Sequence, residues 1–447
     1  LLKERVSGGG EIWDYAGMKS RLMSDGPSRR SFIKSTLAAS VAPLIVPRHV
    51  LGQAGKLSPN EKPTRAIIGV GGMGRGHIGY IQESPLLAVC DVDRRHIDEA
   101  VNRAGKGVRT YTDFREVLER KDIDIVHIPT PPHWHGYIAA AAAKAGKDIW
   151  CEKPMTRTIA EGQKVVEAVQ ANNRIFRLNT WFRFTGGFYG YGTTVEPIRK
   201  AVMHGLLGWP LKVIVSRHTG FDWKFNWSGR TDLEPQPVPD HLDYQMWLGP
   251  APFKHYHPHR VHGTFRGYWD YDGGGLGDMG QHYLDPVQYI LGKDNTSPVL
   301  VEADTDPQDD DAVGSWRRIE MTYEDGCRII LDGDGRESGA PFIEGPEGKL
   351  FKNLESDIPG FRQKLDSLEN PPEQLGDFLK AVVDRKKFAL NEENGHRSCT
   401  LVNLGKIALR TRRKLTFDPV SQRFTDDPEA NSYVEQPMRA PWDISDL

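Results

Sequence analysis

The chain has 447 residues, 38% of them hydrophobic and 26% charged, ordinary proportions for a globular protein and enough length for two domains. Lys plus Arg number 58 against 60 Asp plus Glu, a formal net charge of −2, which leaves no concentrated positive face for nucleic acid. The four cysteines (Cys90, Cys151, Cys327 and Cys399) show no C-x-x-C spacing, so no metal site is expected from them, and Cys90 and Cys151 end apolar runs and read as buried thiols.

Residues 1–27 read as lying outside the fold, a leader or an artefact of the start site, since the first methionines are Met18 and Met23. Ser28-Arg29-Arg30-Ser31-Phe32-Ile33-Lys34 then precedes an uncharged stretch from Ser35 to Pro47, too short to span a bilayer. A positive segment before a short apolar run is the pattern of a secretory signal, and the arginine pair with its following Phe resembles the twin-arginine type. Residues 28–55 are assigned to this signal and its linker, with an exported, periplasmic destination and no stable membrane insertion once the signal is removed.

Arg65 to Ile68 reads as a short buried strand running into Gly69-Val70-Gly71-Gly72-Met73-Gly74, a G-x-G-x-x-G turn. In that turn Gly69 permits the tight bend, Gly71 lets backbone approach a pyrophosphate, and Gly74 lets helix pack on strand. Leu86 to Cys90 is a second strand, and Asp91 follows Gly71 by 20 residues, the place of a ribose-binding acid. A carboxylate there favours NAD over NADP, although Arg94 stands close enough to accommodate a 2′-phosphate. Further strands are expected at Ile123–Ile128, Lys147–Cys151 and Arg174–Leu178, with helices at Ile138–Ala145 and Ile159–Ala171. Strands alternating with helices mean a doubly wound parallel sheet over residues 62–180, with ligands beyond the carboxyl ends of its strands. Gly71, Asp91, Thr130 and Lys153 all fall there. Gly69, Gly71, Gly72, Met73, Gly74, Asp91, Arg94, Thr130, Pro131, His135, Glu152 and Lys153 are the candidate cofactor contacts.

Beyond Thr180 the alternation stops. Residues 181–447 read as an α+β domain with a large, mostly antiparallel sheet, including strands near Leu211–Val215 and Arg317–Tyr323 and helices at Pro372–Arg385 and Gly395–Arg413. Gly273-Gly274-Gly275 precedes a helix expected to start near Leu276, on which Asp278, His282, Asp285 and Tyr289 fall within about 60° of arc. Hydride transfer from an alcohol carbon needs a base for the hydroxyl proton. His282 suits that task because an imidazole titrates near neutrality, Asp278 one turn away assists, and Lys153 can hold the alcohol oxygen.

The glycine turn, Thr130-Pro131, Glu152-Lys153-Pro154 and the Gly-Gly-Gly…Asp278-x-x-x-His282 segment together resemble the Gfo/Idh/MocA family, named for glucose–fructose oxidoreductase and inositol dehydrogenase. The resemblance implies a Rossmann domain followed by an open-sheet domain, catalytic roles for Lys153, Asp278 and His282, a Lys153–Pro154 bond free to be cis, and a homo-oligomer through the C-terminal sheet. It also implies a carbohydrate substrate (a sugar, glycoside or polyol hydroxyl), a tightly held cofactor, and kinship with the twin-arginine-exported members. Trp181 and Arg183 occupy a segment that contacts substrate in family members, while Arg260, Arg266 and Trp269 are candidates to bind hydroxyls or stack on a sugar face. His255, His257, His259 and His262 form a local run read as a polar substrate loop, not a metal site, because no acid or Cys nearby in sequence has ligand-like spacing. Two other readings accompany the oxidoreductase: an NAD-dependent glycosidase acting by transient ring oxidation and elimination, and a non-catalytic sugar-binding protein.

Overall fold

A computed structural model describes residues 62–180, 182–184, 187–188 and 190–447. The leader and signal expected at residues 1–55, and the substrate contact expected at Trp181, lie outside the described residues.

The first sheet contains β1 (Arg65–Ile68), β2 (Leu86–Cys90), β3 (Arg109–Tyr111), β4 (Ile125–Ile128), β5 (Asp148–Glu152) and β6 (Phe176–Asn179). All are parallel, in the order β3-β2-β1-β4-β5-β6. The chain therefore leaves β1 in opposite directions across the sheet, and the crevice where it diverges is the ligand position of a doubly wound fold. β1, β4 and β5 are buried along their whole length, and most of their residues are apolar for that reason. β3 is three residues at the sheet edge, largely exposed, and its sequence carries no apolar signal.

Helix Pro132–Lys144 starts earlier than its alanine run suggests, because Pro132 suits a first turn that needs no N–H donor. Helix Ile159–Ala171 has the expected bounds and is capped by Thr158, whose hydroxyl accepts from the Glu161 N–H.

The second sheet has eight strands: β7 (Lys212–Ser216), β8 (Leu300–Asp304), β9 (Arg318–Thr322), β10 (Arg328–Asp332), β11 (Ile343–Gly345), β12 (Gly348–Leu350), β13 (Leu415–Asp418) and β14 (Arg423–Phe424). Their order is β12-β11-β7-β10-β9-β8-β13-β14, antiparallel except for the β7–β10 pair. Two long helices, Gly274–Leu291 and Glu392–Thr411, share a core with this sheet. The helix expected over Pro372–Arg385 is confined to Phe378–Asp384, where Asp377 caps it by accepting from the Lys380 N–H (2.9 Å) and Gly376 stands just before the cap. All four cysteines are buried free thiols.

Helix Gly274–Leu291 differs most from its sequence reading. One face was expected to meet the core and the other to stay open, yet every residue but Tyr289 is buried. Leu276, Met279, Tyr283 and Val287 face the second sheet's core. Gly280 leaves room for Val402 of the other long helix, and Gln281 links to the first domain by accepting from the Met155 N–H (2.8 Å). The polar stripe is thus wedged between two domains.

Candidate active site

Four loops follow the carboxyl ends of β1, β2, β4 and β5 and line a cleft of about 370 Å³. After β1, Gly69 has φ +94°, and a side chain there would meet the Thr130 backbone N at 2.9 Å. A Cβ at Gly74 would lie 1.9 Å from the Gly69 carbonyl oxygen, so turn and helix touch backbone to backbone. Gly71 and Gly72, by contrast, face the cleft with nothing closer than the His96 ring at 3.6 Å. Two glycines thus shape the turn, and two leave space for a ligand.

Asp91, after β2, lines the cleft and is fixed by its neighbours. Its Oδ2 accepts from the Val70 N–H (2.7 Å), its Oδ1 from the Asp93 N–H (2.9 Å), and His96 Nδ1 stands 3.4 Å from Oδ2. Met73, Thr130 and Pro131 complete this wall, and the Thr130 hydroxyl oxygen is buried without a hydrogen-bond partner. A buried orphan hydroxyl costs stability unless a ligand satisfies it. Together with the open Gly71-Gly72 edge and the Asp91 carboxylate, it fits a dinucleotide. His135 lies behind the wall, its ring spanning the carbonyls of Thr130 and Pro154 at 2.7 Å each, and so ties two cleft loops together without lining the cleft.

At the far end stand Glu152, Lys153, Arg266 and Asp278. Lys153 follows β5 and begins a cis bond to Pro154. Its ammonium donates to both the carbonyl and Oδ1 of Asp278, each at 2.8 Å. Arg266 Nε donates to the same Oδ1, also at 2.8 Å. Burial alone would raise the Asp278 pKa, but these two cations hold the carboxyl well below the usual carboxylate range. Glu152 behaves alike: burial pushes it up, yet His77, Lys153 and Asn179 bring it down to about 2. His77 Nε2 lies 2.9 Å from Glu152 Oε1, and the Lys153 N–H approaches Oε2 at 3.3 Å.

His282 sits one turn beyond Asp278, with Nδ1 3.0 Å from the Thr180 hydroxyl and its ring edge-on to Phe182. Among the described residues the cleft lining reaches Asp278 and stops short of His282. Burial, and then the charge of Lys153, lower its pKa to about 3, far from the near-neutral value expected of an ordinary imidazole. It is therefore a neutral ring in this structure.

Several sequence expectations need correction. Arg183 is fully buried and donates to Asp285 (2.7 and 3.0 Å) and Asp294 (2.7 and 2.9 Å), so it fastens a helix and does not face substrate. The same pairing removes Asp285 from the presumed reactive stripe. Arg260 pairs with Asp311 and lies over the Tyr268 ring, outside the cleft. Trp269 is core, its indole N–H donating to the Asp309 carbonyl (3.0 Å) under the Arg410 guanidinium. Arg94 donates to the Asp240 carbonyl and is not among the residues that line the cleft, so it offers no 2′-phosphate contact here. Among the described residues Arg266, unlike Arg183, Arg260 and Trp269, does line the cleft, beside Asp278. The lining also contains His96, Trp134, Met246, Trp247, His262 and Phe265, of which only His262 stood out in the sequence.

Residues 64–180 match a family described as an oxidoreductase family NAD-binding Rossmann fold, and residues 191–444 its C-terminal alpha/beta domain. An inositol 2-dehydrogenase of Salmonella typhimurium is 28% identical over 152 residues, 33% of this chain and 43% of that protein. A glycosyl hydrolase family 109 protein of Shewanella baltica is 31% identical over 172 residues, 33% of this chain and 38% of that protein. The chain thus spans less than half the length of each of these relatives. Among solved structures, the WlbA dehydrogenase from Bordetella pertussis, in complex with NADH and UDP-GlcNAcA, superposes with a TM-score of 0.56 at 16% identity, covering 80% of this chain and 99% of that one. An aldose-aldose oxidoreductase from Caulobacter crescentus gives 0.52 at 17%, covering 80% and 100%. These two likenesses show the fold, and the two matched family domains show the kinship: the chain belongs to the Gfo/Idh/MocA family of NAD-binding oxidoreductases.

Proposed function

We propose that this protein is an NAD-dependent oxidoreductase acting on a hydroxyl of a sugar, glycoside or polyol. The observation that carries the reading is the Lys153 ammonium and Arg266 guanidinium sharing the Asp278 carboxylate at one end of a dinucleotide-type cleft. Asp91, Gly71, Gly72, Thr130 and Pro131 would hold the cofactor, which when bound takes up hydride from the substrate carbon. Lys153 then donates to the substrate oxygen and stabilises the negative charge that develops as its proton departs. Neutral His282, one turn beyond Asp278 on the same helix, is in the protonation state required of a proton acceptor, and the Asp278 carboxylate orients Lys153 across the domain boundary. NAD is favoured over NADP because Asp91 presents a carboxylate to the cleft while Arg94 is bonded to the Asp240 carbonyl and does not line it.

The glycosidase reading draws support from the Shewanella relatives, which are named as glycosyl hydrolase family 109 proteins. Both readings are tested by adding NAD+ and a panel of polyols, aldoses and aryl glycosides to the purified protein. Net NADH formation with one substrate supports the oxidoreductase. Aglycone release without net reduction replaces it with the glycosidase, and sugar binding with neither change replaces both with a binding protein. Export through the twin-arginine signal at residues 28–55, a tightly held cofactor, and a homo-oligomer formed through the second sheet belong to the same proposal. Fractionation, cofactor analysis of undialysed protein, and light scattering respectively test them.

A further inference from the structure

Beside Asp91 on the cleft wall, three side chains from two domains converge. Asp93 and His96 come from the segment after β2, and His262 from a second-domain loop. One ligand-type atom from each lies within 4.8 Å of the other two. Asp93 is fully buried, and its Oδ2 stands 3.3 Å from His262 Nε2 and 3.7 Å from His241 Nε2. His241 Nε2 is itself buried without a hydrogen-bond partner. Arg95 engages the same carboxylate, through its N–H to Oδ1 (2.9 Å) and Nη2 to Oδ2 (3.3 Å). The His96 and His262 rings meet edge to face, centroids 4.8 Å apart.

The 3.3 Å Asp93–His262 separation is longer than a good imidazole–carboxylate hydrogen bond and suits another geometry. Ligands about 2.0–2.2 Å from a tetrahedral zinc ion lie about 3.3–3.6 Å from one another. His262 has φ +56°, a left-handed conformation, and its Nε2 faces Asp93 across the domain boundary.

We propose that Asp93, His96 and His262 form a site for a divalent transition-metal ion of the Zn2+ class, which fastens the second-domain loop to the first domain. His241, whose Nε2 lies 3.7 Å from Asp93 Oδ2, is placed to complete the shell. Because His96 and His262 line the cleft beside Asp91, the ion occupies the corner where a cofactor ribose would lie, and metal and cofactor exclude one another. That last consequence rests on the cofactor reading above, whereas the metal site does not.

The test is calorimetric titration of chelator-treated, cofactor-stripped full-length protein with ZnCl2, repeated with NAD+ present. The expected result is one ion per chain, weakened at least about tenfold by His262→Ala and by His96→Ala, and untouched by His255→Ala in the neighbouring histidine run. Added NAD+ should weaken Zn2+ binding, and Zn2+ should weaken NAD+ binding. Co2+ substitution, read by the visible bands of a tetrahedral ion, checks the geometry in any variant whose circular dichroism is unchanged. No stoichiometric binding, or binding indifferent to both His96 and His262, overturns the site. Zn2+ binding that depends on both residues but leaves NAD+ affinity unchanged overturns the exclusion. Zn2+ binding in a protein that takes up no NAD+ at all sinks the cofactor reading and leaves the metal site standing.

Discussion

The pKa of His282 makes a quantitative prediction about stability. Its ring titrates at about 3 in the folded protein and near 6.5 in the unfolded chain. A depressed folded value means that the unfolded state binds the proton first as pH falls. The stabilisation is complete above about pH 6.5 and is lost progressively as pH drops toward 3. Between about pH 7.5 and about pH 5 this linkage costs about 2 kcal/mol, from 1.36 kcal/mol per unit of separation. Other groups titrate over the same range: His133 and His396 are also depressed by burial, while burial raises Asp272 and works in the opposite direction. The single-residue contribution is isolated by comparing wild type with His282→Gln in urea unfolding at both pH values. The stability difference between the two proteins should move by about 2 kcal/mol in favour of the variant at the lower pH. A difference that stays constant within about 0.5 kcal/mol would refute a buried, neutral His282 with this depressed pKa.

Four substitutions probe the rest of the account. Gly74→Ala places a Cβ 1.9 Å from the Gly69 carbonyl and should cost about 1–3 kcal/mol together with most cofactor affinity; Gly72→Ala, with nothing within 4 Å, should leave stability within about 1 kcal/mol in the same melts. Arg183→Met strands the buried Asp285 carboxylate and should destabilise by about 3–5 kcal/mol, whereas a raised KM at unchanged stability would restore the substrate contact withdrawn above. Lys153→Met should lower turnover by at least about 10³ while cofactor Kd stays within about threefold, a split visible only if binding and kinetics are both measured.

What could be read from the sequence follows the range of the interactions. The glycine turn, Asp91, Thr130 and Lys153 were legible because each follows a short apolar strand, and the parallel topology gathers strand ends without further information. β3 escaped because a three-residue exposed edge strand has no apolar pattern. Helix Gly274–Leu291 was placed correctly to within two residues, but its environment was misjudged. A polar stripe looks the same in sequence whether it meets water, substrate or the partners Lys153, Arg266 and Arg183. Arg183 and Asp285 are 102 residues apart, and no local pattern announces such a pair. His262 likewise lacked an acidic neighbour in sequence, while the fold brings Asp93 and His96 to it from the other domain.

The central claim is that the cleft between the Gly69–Gly74 turn and Asp278 binds a nicotinamide dinucleotide. Fluorescence titration of the purified chain with NADH, checked by calorimetry with NAD+, tests it most directly. The account predicts one cofactor per chain and at least about tenfold weaker binding in Asp91→Ala, which removes the carboxylate at the ribose corner. Absence of binding at saturating cofactor, or binding indifferent to Asp91, would contradict it.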